Sequence, residues 1–132
     1  MRYMLLIYSA ERERTPEEMR KVGEGHLSLM QEAERRGALI AASPLEPVST
    51  ATTVRQSGAG VLVTDGPFAE TKEQLAGYYL LECANLDEAI EWAGRIPTSC
   101  LGGEGCVEVR PLRHVTAETA ALAPAASFIA NG

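Results

Sequence analysis

The stretch Y-M-L-L-I-Y-S-A-E-R-E-R-T-P-E-E, residues 3–18, decides the fold because it joins a buried strand to the start of a long helix. Residues 3–8 form a short apolar and aromatic run ended by polar residues, which is typical of a buried strand. Thr15 can cap the first helical amides, Pro16 suits the first helical position, and Glu18 completes a capping box. We therefore expect the first helix to begin at about residue 16.

Downstream of this helix the chain alternates between strand patterns and one more helix. The first helix should end at Gly37, because glycine accepts the left-handed conformation that commonly closes a helix. A second helix should be capped by Asn85 and stopped by Pro97, with residues 86, 89, 90 and 93 as its apolar face. Further strands are predicted at residues 38–42, 50–55, 61–64, 75–82 and 107–112, with a hairpin turn at Gly58-Ala59-Gly60.

The order of these elements predicts the fold class. Strand, helix, strand, two hairpin strands, strand, helix and strand match a ferredoxin-like split β-α-β pattern, an α+β architecture, with an extra hairpin in the middle. We expect one domain over residues 1–113. Residues 114–132 form an alanine-rich C-terminal tail, for which a docked arm and a partly disordered segment are both open.

Composition excludes several classes of protein. No apolar run in the 132 residues approaches the roughly 20 needed to cross a bilayer, and the N-terminus lacks a secretory pattern, so we expect a cytoplasmic protein. The net charge of −6 comes from mixed acidic and basic residues, which argues against direct nucleic-acid binding. Cys83, Cys100 and Cys106 are odd in number and lack paired spacing, so we expect reduced thiols. No cofactor and no metal site are predicted.

His26 is the first candidate for chemistry. Helical spacing puts it in the stripe formed by Met19, Val22, Met30 and Ala33, so its imidazole should face the sheet. Gly23 and Gly25 flank it and leave side-chain space beside the ring. Two interpretations stay open, namely a core histidine bonded to backbone or water, and a general acid or base.

Asp65 is the candidate partner of His26. It opens the segment Asp65-Gly66-Pro67-Phe68 directly after the strand at residues 61–64, and loops at strand ends often carry sites. The alternative is turn chemistry, because Asp, Gly and Pro each favour turns. The pairing of His26 with Asp65 is a hypothesis.

A longer motif surrounds Asp65. The segment V-T-D-G-P-F-A-E-T-K-E-Q-L-A-G-Y-Y, residues 63–79, resembles the signature of the D-G-P-F branch of the YciI-related (YCII) family. Residues 3–8, 49–55, 86–89 with 92–93, and 107–112 are similar as well, so that the resemblance covers roughly residues 1–113. It implies a ferredoxin-like fold that pairs two subunits into a dimeric α+β barrel, with a cleft between sheet and helices.

The resemblance also bears on His26. In the YciI branch a histidine followed by leucine in the first helix is thought to act in acid–base chemistry with an aspartate, and E-G-H-L, residues 24–27, is similar to that segment. The resemblance therefore implies a catalytic role for His26, whereas its pairing with Asp65 is our own hypothesis.

Other side chains could hold a ligand. Lys72 lies in the matched motif and could orient an anionic ligand. Tyr78 and Tyr79 point to opposite faces of their strand, so only one of them can line a cleft. Arg55 or Arg110 could hold a carboxylate in a bidentate pair. Lys72, Tyr78 and Arg55 are taken as the ligand-binding set.

Two functions follow from these residues and the resemblance. The first is a small-molecule-binding or regulatory protein, linked to an extracytoplasmic-type sigma factor because D-G-P-F genes often sit beside such factors. The alternative is an enzyme that uses His26 and Asp65 as an acid–base pair on a small carboxylate or lactone-like substrate. A homodimer is expected under both, because a lone sheet of this kind would expose an apolar face and strand edges.

Overall fold

The computed structural model describes residues 1–97 and 105–114. In chain order the elements are β1 (Arg2–Ser9), α1 (Pro16–Arg35), β2 (Leu39–Pro44), a short 3-10 helix (Val48–Thr50), β3 (Thr52–Ser57), β4 (Gly60–Asp65), β5 (Gln74–Glu82), α2 (Leu86–Gly94) and β6 (Gly105–Pro111). The predicted α+β class and the predicted order of elements are confirmed. Cys100 and residues 115–132 of the predicted tail lie outside the described residues.

Four strands form one antiparallel sheet in the order β2-β5-β1-β6. The strands β3 and β4 pair with each other as a separate two-stranded hairpin. The central strand β1 sets Leu5 opposite Tyr79 of β5 and Val109 of β6. Side chains alternate along β1, so that one face of the sheet is buried and the other is half-exposed.

The hydrophobic core lies between the buried face of this sheet and the two helices. Leu5 of β1 and Leu81 of β5 are its largest fully buried side chains. The helix α1 contributes Leu29 and Ala33, and α2 contributes Trp92, all buried. Burial of this apolar area is the main favourable term that holds α1 and α2 on the sheet.

The ends of α1 agree with the sequence except in one contact. Thr15 Oγ1 accepts a hydrogen bond from the Glu18 amide at 3.1 Å, and Gly37 has a φ of +72° beyond the last turn. The predicted capping box is incomplete, because the Glu18 carboxylate pairs with Arg12 at 3.1 Å. A charged partner competes for a carboxylate better than a backbone amide does.

The apolar face of α2 differs from the prediction. Leu86 and Ile90 are 49% and 51% exposed, whereas Ala89 and Trp92 are buried. Burying Trp92 removes more apolar surface from water than burying a smaller side chain would. The helix therefore turns Trp92 toward the sheet, and the predicted face with Leu86 and Ile90 is partly exposed. Asn85 caps α2 as expected, because its Oδ1 accepts from the Glu88 amide at 3.0 Å.

Gly77 allows β2 and β5 to approach closely. A Cβ added at Gly77 would lie 2.9 Å from the Ser43 carbonyl oxygen and 3.2 Å from the Pro44 Cα. The pairing of β1 with β5 is irregular at the same place, where Ile7 pairs with Gly77 and Tyr8 pairs with Leu75. The backbone on both sides of Gly77 is therefore fixed, and a side chain has no room there.

We expect Gly77→Ala to lower the free energy of unfolding by about 1–3 kcal/mol, because the added methyl must displace backbone atoms of β2. Gly60→Ala is the matched strand control, since nothing lies within 4 Å of a Cβ at Gly60. Urea unfolding of the two variants checks this. Equal midpoints for Gly77→Ala and wild type would contradict the close approach of the two strands.

Candidate functional site

A cleft of about 880 Å³ lies between α1 and the sheet. Its walls come from α1, from the ends of β1, β2 and β5, and from the loop that joins β1 to α1. Most of the wall is apolar, with contributions from Ile7, Met19, Val22, Met30 and Leu75. A mainly apolar cleft of this size is typical of small-molecule sites.

His26 and Tyr79 form the polar pair of this cleft. His26 is half-buried on α1 and faces the sheet, as its helical spacing predicts. Its Nδ1 lies 2.7 Å from the hydroxyl oxygen of Tyr79 on β5. The two rings are stacked with centroids 5.9 Å apart, and Tyr79 is only 3% exposed. This pair joins α1 to the central part of the sheet.

The protonation of the pair follows from its surroundings. Burial lowers the pKa of His26, and a hydrogen bond with the Pro97 backbone opposes that shift. Burial raises the pKa of Tyr79 to about 12, so its hydroxyl stays protonated at neutral pH. Since proline has no N–H, the Pro97 carbonyl must accept from the imidazole. A neutral His26 ring is compatible with both contacts. In that form Nδ1 accepts a hydrogen bond from the Tyr79 hydroxyl, and the ring N–H faces the Pro97 carbonyl.

The two glycines beside His26 have different roles. A Cβ at Gly25 would lie 3.0 Å from the Pro97 Cγ, so this glycine lets Pro97 pack against α1. No atom of the described residues lies within 4 Å of a Cβ at Gly23, which lines the cleft. The open space predicted beside the ring is therefore at Gly23, and at Gly25 it is filled by Pro97.

Asp65 is exposed at the end of β4 and does not line the cleft. Within residues 1–97 and 105–114, no hydrogen bond or ion pair joins Asp65 to His26. The next residue, Gly66, has a φ of +98° and bonds through its amide to the Ala51 carbonyl at 2.7 Å. Thr53 Oγ1 donates to the Gly66 carbonyl at 2.8 Å. These contacts fit the turn interpretation of the D-G-P-F segment.

The structure places only one of the three predicted ligand-binding residues, Tyr78, on the wall of the cleft. Tyr78 is on the cleft wall, although alternation along β5 directs its ring away from that of Tyr79. Lys72 and Arg55 are exposed and lie off the wall, and Arg55 pairs with Leu62 across the hairpin. The hairpin pairs with no strand of the main sheet among the described residues, which is why its side chains do not reach the cleft.

Arg14 was not predicted from the sequence, and of the two neighbouring tyrosines the predicted ligand-binding set contained Tyr78 and not Tyr79. Arg14 lies in the loop from β1 to α1 and lines the cleft, and its Nε is buried. The signal for Tyr79 was its spacing from Leu81 and Cys83, which puts all three on the buried face of β5 and its extension.

The cysteines and acidic groups of the described residues do not form a second site. Cys83 is buried and Cys106 is exposed, both as free thiols, and the Cys106 Sγ lies 3.6 Å from a Glu73 carboxylate oxygen. In the parts of the chain that the structure describes, no three His, Cys, Asp or Glu side chains could hold a metal ion together. No helix in those parts is both long and apolar enough to cross a membrane.

The fold and the cleft define a class of protein, a small α+β protein in which an antiparallel sheet and its first helix enclose an apolar cleft with one His–Tyr pair. The model of the YCII-related domain matches residues 1–116. The chain belongs to the YCII-related family. It is 49% identical to an uncharacterized protein of Rhizobium meliloti (strain 1021) over 76 residues. That match covers 58% of this chain and 60% of the relative, less than two thirds of either.

We expect Tyr79→Phe to raise the pKa of His26, because a donor to Nδ1 stabilises the neutral ring and its loss favours the charged ring. An NMR titration of the His26 ring protons measures this. Tyr78→Phe is the matched control and should leave the pKa of His26 unchanged, since Tyr78 points to the other face of β5. A fall of the pKa in Tyr79→Phe would show that His26 donates to Tyr79 instead.

Proposed function

We propose that the protein binds a small molecule in the cleft between α1 and the sheet. The observation that carries the proposal is the space of about 880 Å³ beside the His26–Tyr79 pair, which is open at Gly23. Apolar walls favour a ligand with an apolar body, because its transfer from water is favourable. The Tyr79 oxygen keeps lone pairs that can accept a hydrogen bond from the ligand.

Catalysis by His26 is less well supported than binding. The Nδ1 of His26 already has a partner inside the subunit, the Tyr79 hydroxyl at 2.7 Å, so that proton transfer through this nitrogen would first have to break that contact. Geometry of this kind is typical of a histidine that positions its neighbours. The acid–base pairing of His26 with Asp65 stays a prediction, and so does the link to a sigma factor.

The binding proposal is tested by filling the cleft. Gly23→Leu puts a side chain into open space beside His26 and replaces glycine by a better helix former, so the fold should gain about 1 kcal/mol of stability. We expect octanamide, a neutral apolar probe, to shift the His26 ring resonances of the wild type. In Gly23→Leu its affinity should fall by about tenfold or more.

Gly94→Ala serves as the control for this experiment, because Gly94 is at the end of α2 and does not line the cleft. It should bind octanamide as the wild type does. Equal affinity in Gly23→Leu and Gly94→Ala would place the probe elsewhere and overturn the proposal.

We also propose that a second copy of the chain covers the hairpin. Val54, Val61 and Val63 share one face of β3 and β4 and are 61%, 63% and 59% exposed. A row of exposed valines on a two-stranded hairpin is unfavourable in water, because such hairpins need a further apolar surface for stability. The sheet order β2-β5-β1-β6 supports a ferredoxin-like description and, with a partner subunit, a dimeric α+β barrel.

Light scattering should give a mass of twice the 14.2 kDa of one chain at micromolar concentration. Val63→Lys should shift the protein toward monomer, because a charge would be buried in the interface. Leu62→Lys makes the same charge change on the opposite face of β4 and should leave the dimer intact. A monomeric wild type would contradict the proposal.

A further inference from the structure

Arg14 has a buried donor without a partner. It follows β1 in the loop that leads to α1, it lines the cleft, and its side chain is half-buried. Its Nε is inaccessible to water and makes no hydrogen bond in the described part of the chain. A buried N–H that is left unsatisfied is unfavourable, so a native arginine in this state points to an acceptor that binds there.

Neighbouring arginines are satisfied. Arg12 pairs with Glu18 at 3.1 Å, and Arg20 bridges Glu17 and Glu24 at 3.2 and 3.1 Å. No ion pair of this kind is found for Arg14 among residues 1–97 and 105–114. Arg14 therefore differs from its neighbours both in burial and in the lack of a carboxylate partner.

The geometry of the Arg14 guanidinium indicates which chemical group could accept its hydrogen bonds. The Nε–H and one terminal N–H of arginine are parallel, and they match the two oxygens of a carboxylate in a bidentate pair. The mostly apolar wall favours a ligand with an apolar body over a small, fully charged anion such as phosphate. A single carboxylate on an apolar body fits both the Arg14 fork and the cleft.

The carboxylates of Glu11, Glu13 and Glu46 also line the cleft, and among the described residues none of them accepts a hydrogen bond from the Arg14 Nε. The Glu11 side chain accepts a hydrogen bond from the Val48 amide at 2.9 Å. Glu13 and Glu46 are exposed, so that water and salt screen their charges. The half-buried Arg14 is less screened and interacts more strongly with an anion in the cleft.

We infer that Arg14 anchors the carboxylate of an apolar ligand whose body extends into the cleft toward His26 and Tyr79. This inference rests on the proposed binding function and adds the chemical class of the ligand. It assigns to Arg14 the role for which Lys72 and Arg55 were predicted, because Arg14 lies on the cleft wall and they do not.

Octanoate and octanamide test the inference, because they share one chain and differ in the charge of the head group. The readout is the shift of the His26 ring resonances at pH 7.5, where octanoate is ionised. The wild type should bind octanoate about tenfold more tightly than octanamide. Arg14→Met keeps the unbranched first part of the side chain but removes the guanidinium, so it should remove this preference by lowering the affinity for octanoate.

Arg20→Met is the control for net charge, because Arg20 is exposed on α1 and does not line the cleft. It should retain the preference for octanoate. If Arg14→Met binds octanoate as tightly as the wild type does, or if the wild type shows no preference for octanoate, the anchor is overturned while binding in the cleft stands. If neither probe shifts His26 in the wild type, the binding function is overturned and the anchor with it.

Discussion

Burial of one face of β1 and β5 under two helices is the constraint on which the rest of the structure depends. Leu5 and Leu81 lie on that face, and both are fully buried. Tyr79 lies on the same buried face, so its hydroxyl needs a hydrogen-bond partner inside the protein. The Nδ1 of His26 on α1 is that partner, at 2.7 Å. Beyond this contact α1 and the ends of the strands enclose the cleft, so that core packing and the candidate site share one side chain.

The order and type of the elements could be predicted because their signals are local. Thr15 and Pro16 fix the start of α1 through contacts within one turn, and the spacing of apolar residues distinguishes strands from helices. The apolar face of α2 could not be predicted in the same way. Leu86 and Trp92 compete for burial, and the outcome depends on which of them meets the sheet.

The candidate site was predictable only in part, because it depends on which side chains the folded chain brings together. Helical spacing was enough to turn His26 toward the sheet, but strand alternation says only that Tyr78 and Tyr79 face opposite ways. The motif around Asp65 attracts attention by its composition, yet its contacts are those of a turn. Arg14 has no signal of its own in the sequence, because the burial of its Nε is a property of the folded chain.

The central claim is that the cleft beneath α1 is the site where a ligand binds. The most direct measurement is a map of backbone-amide NMR shifts while a chemically diverse set of small molecules is titrated. The account predicts that the molecules which bind shift the amides of Gly23, Ala76 and Gly77 together, since these residues line opposite walls of the cleft. Shifts that cluster around Arg36, Trp92 and Arg95, near the C-terminal ends of α1 and α2, with the cleft amides unchanged, would contradict it.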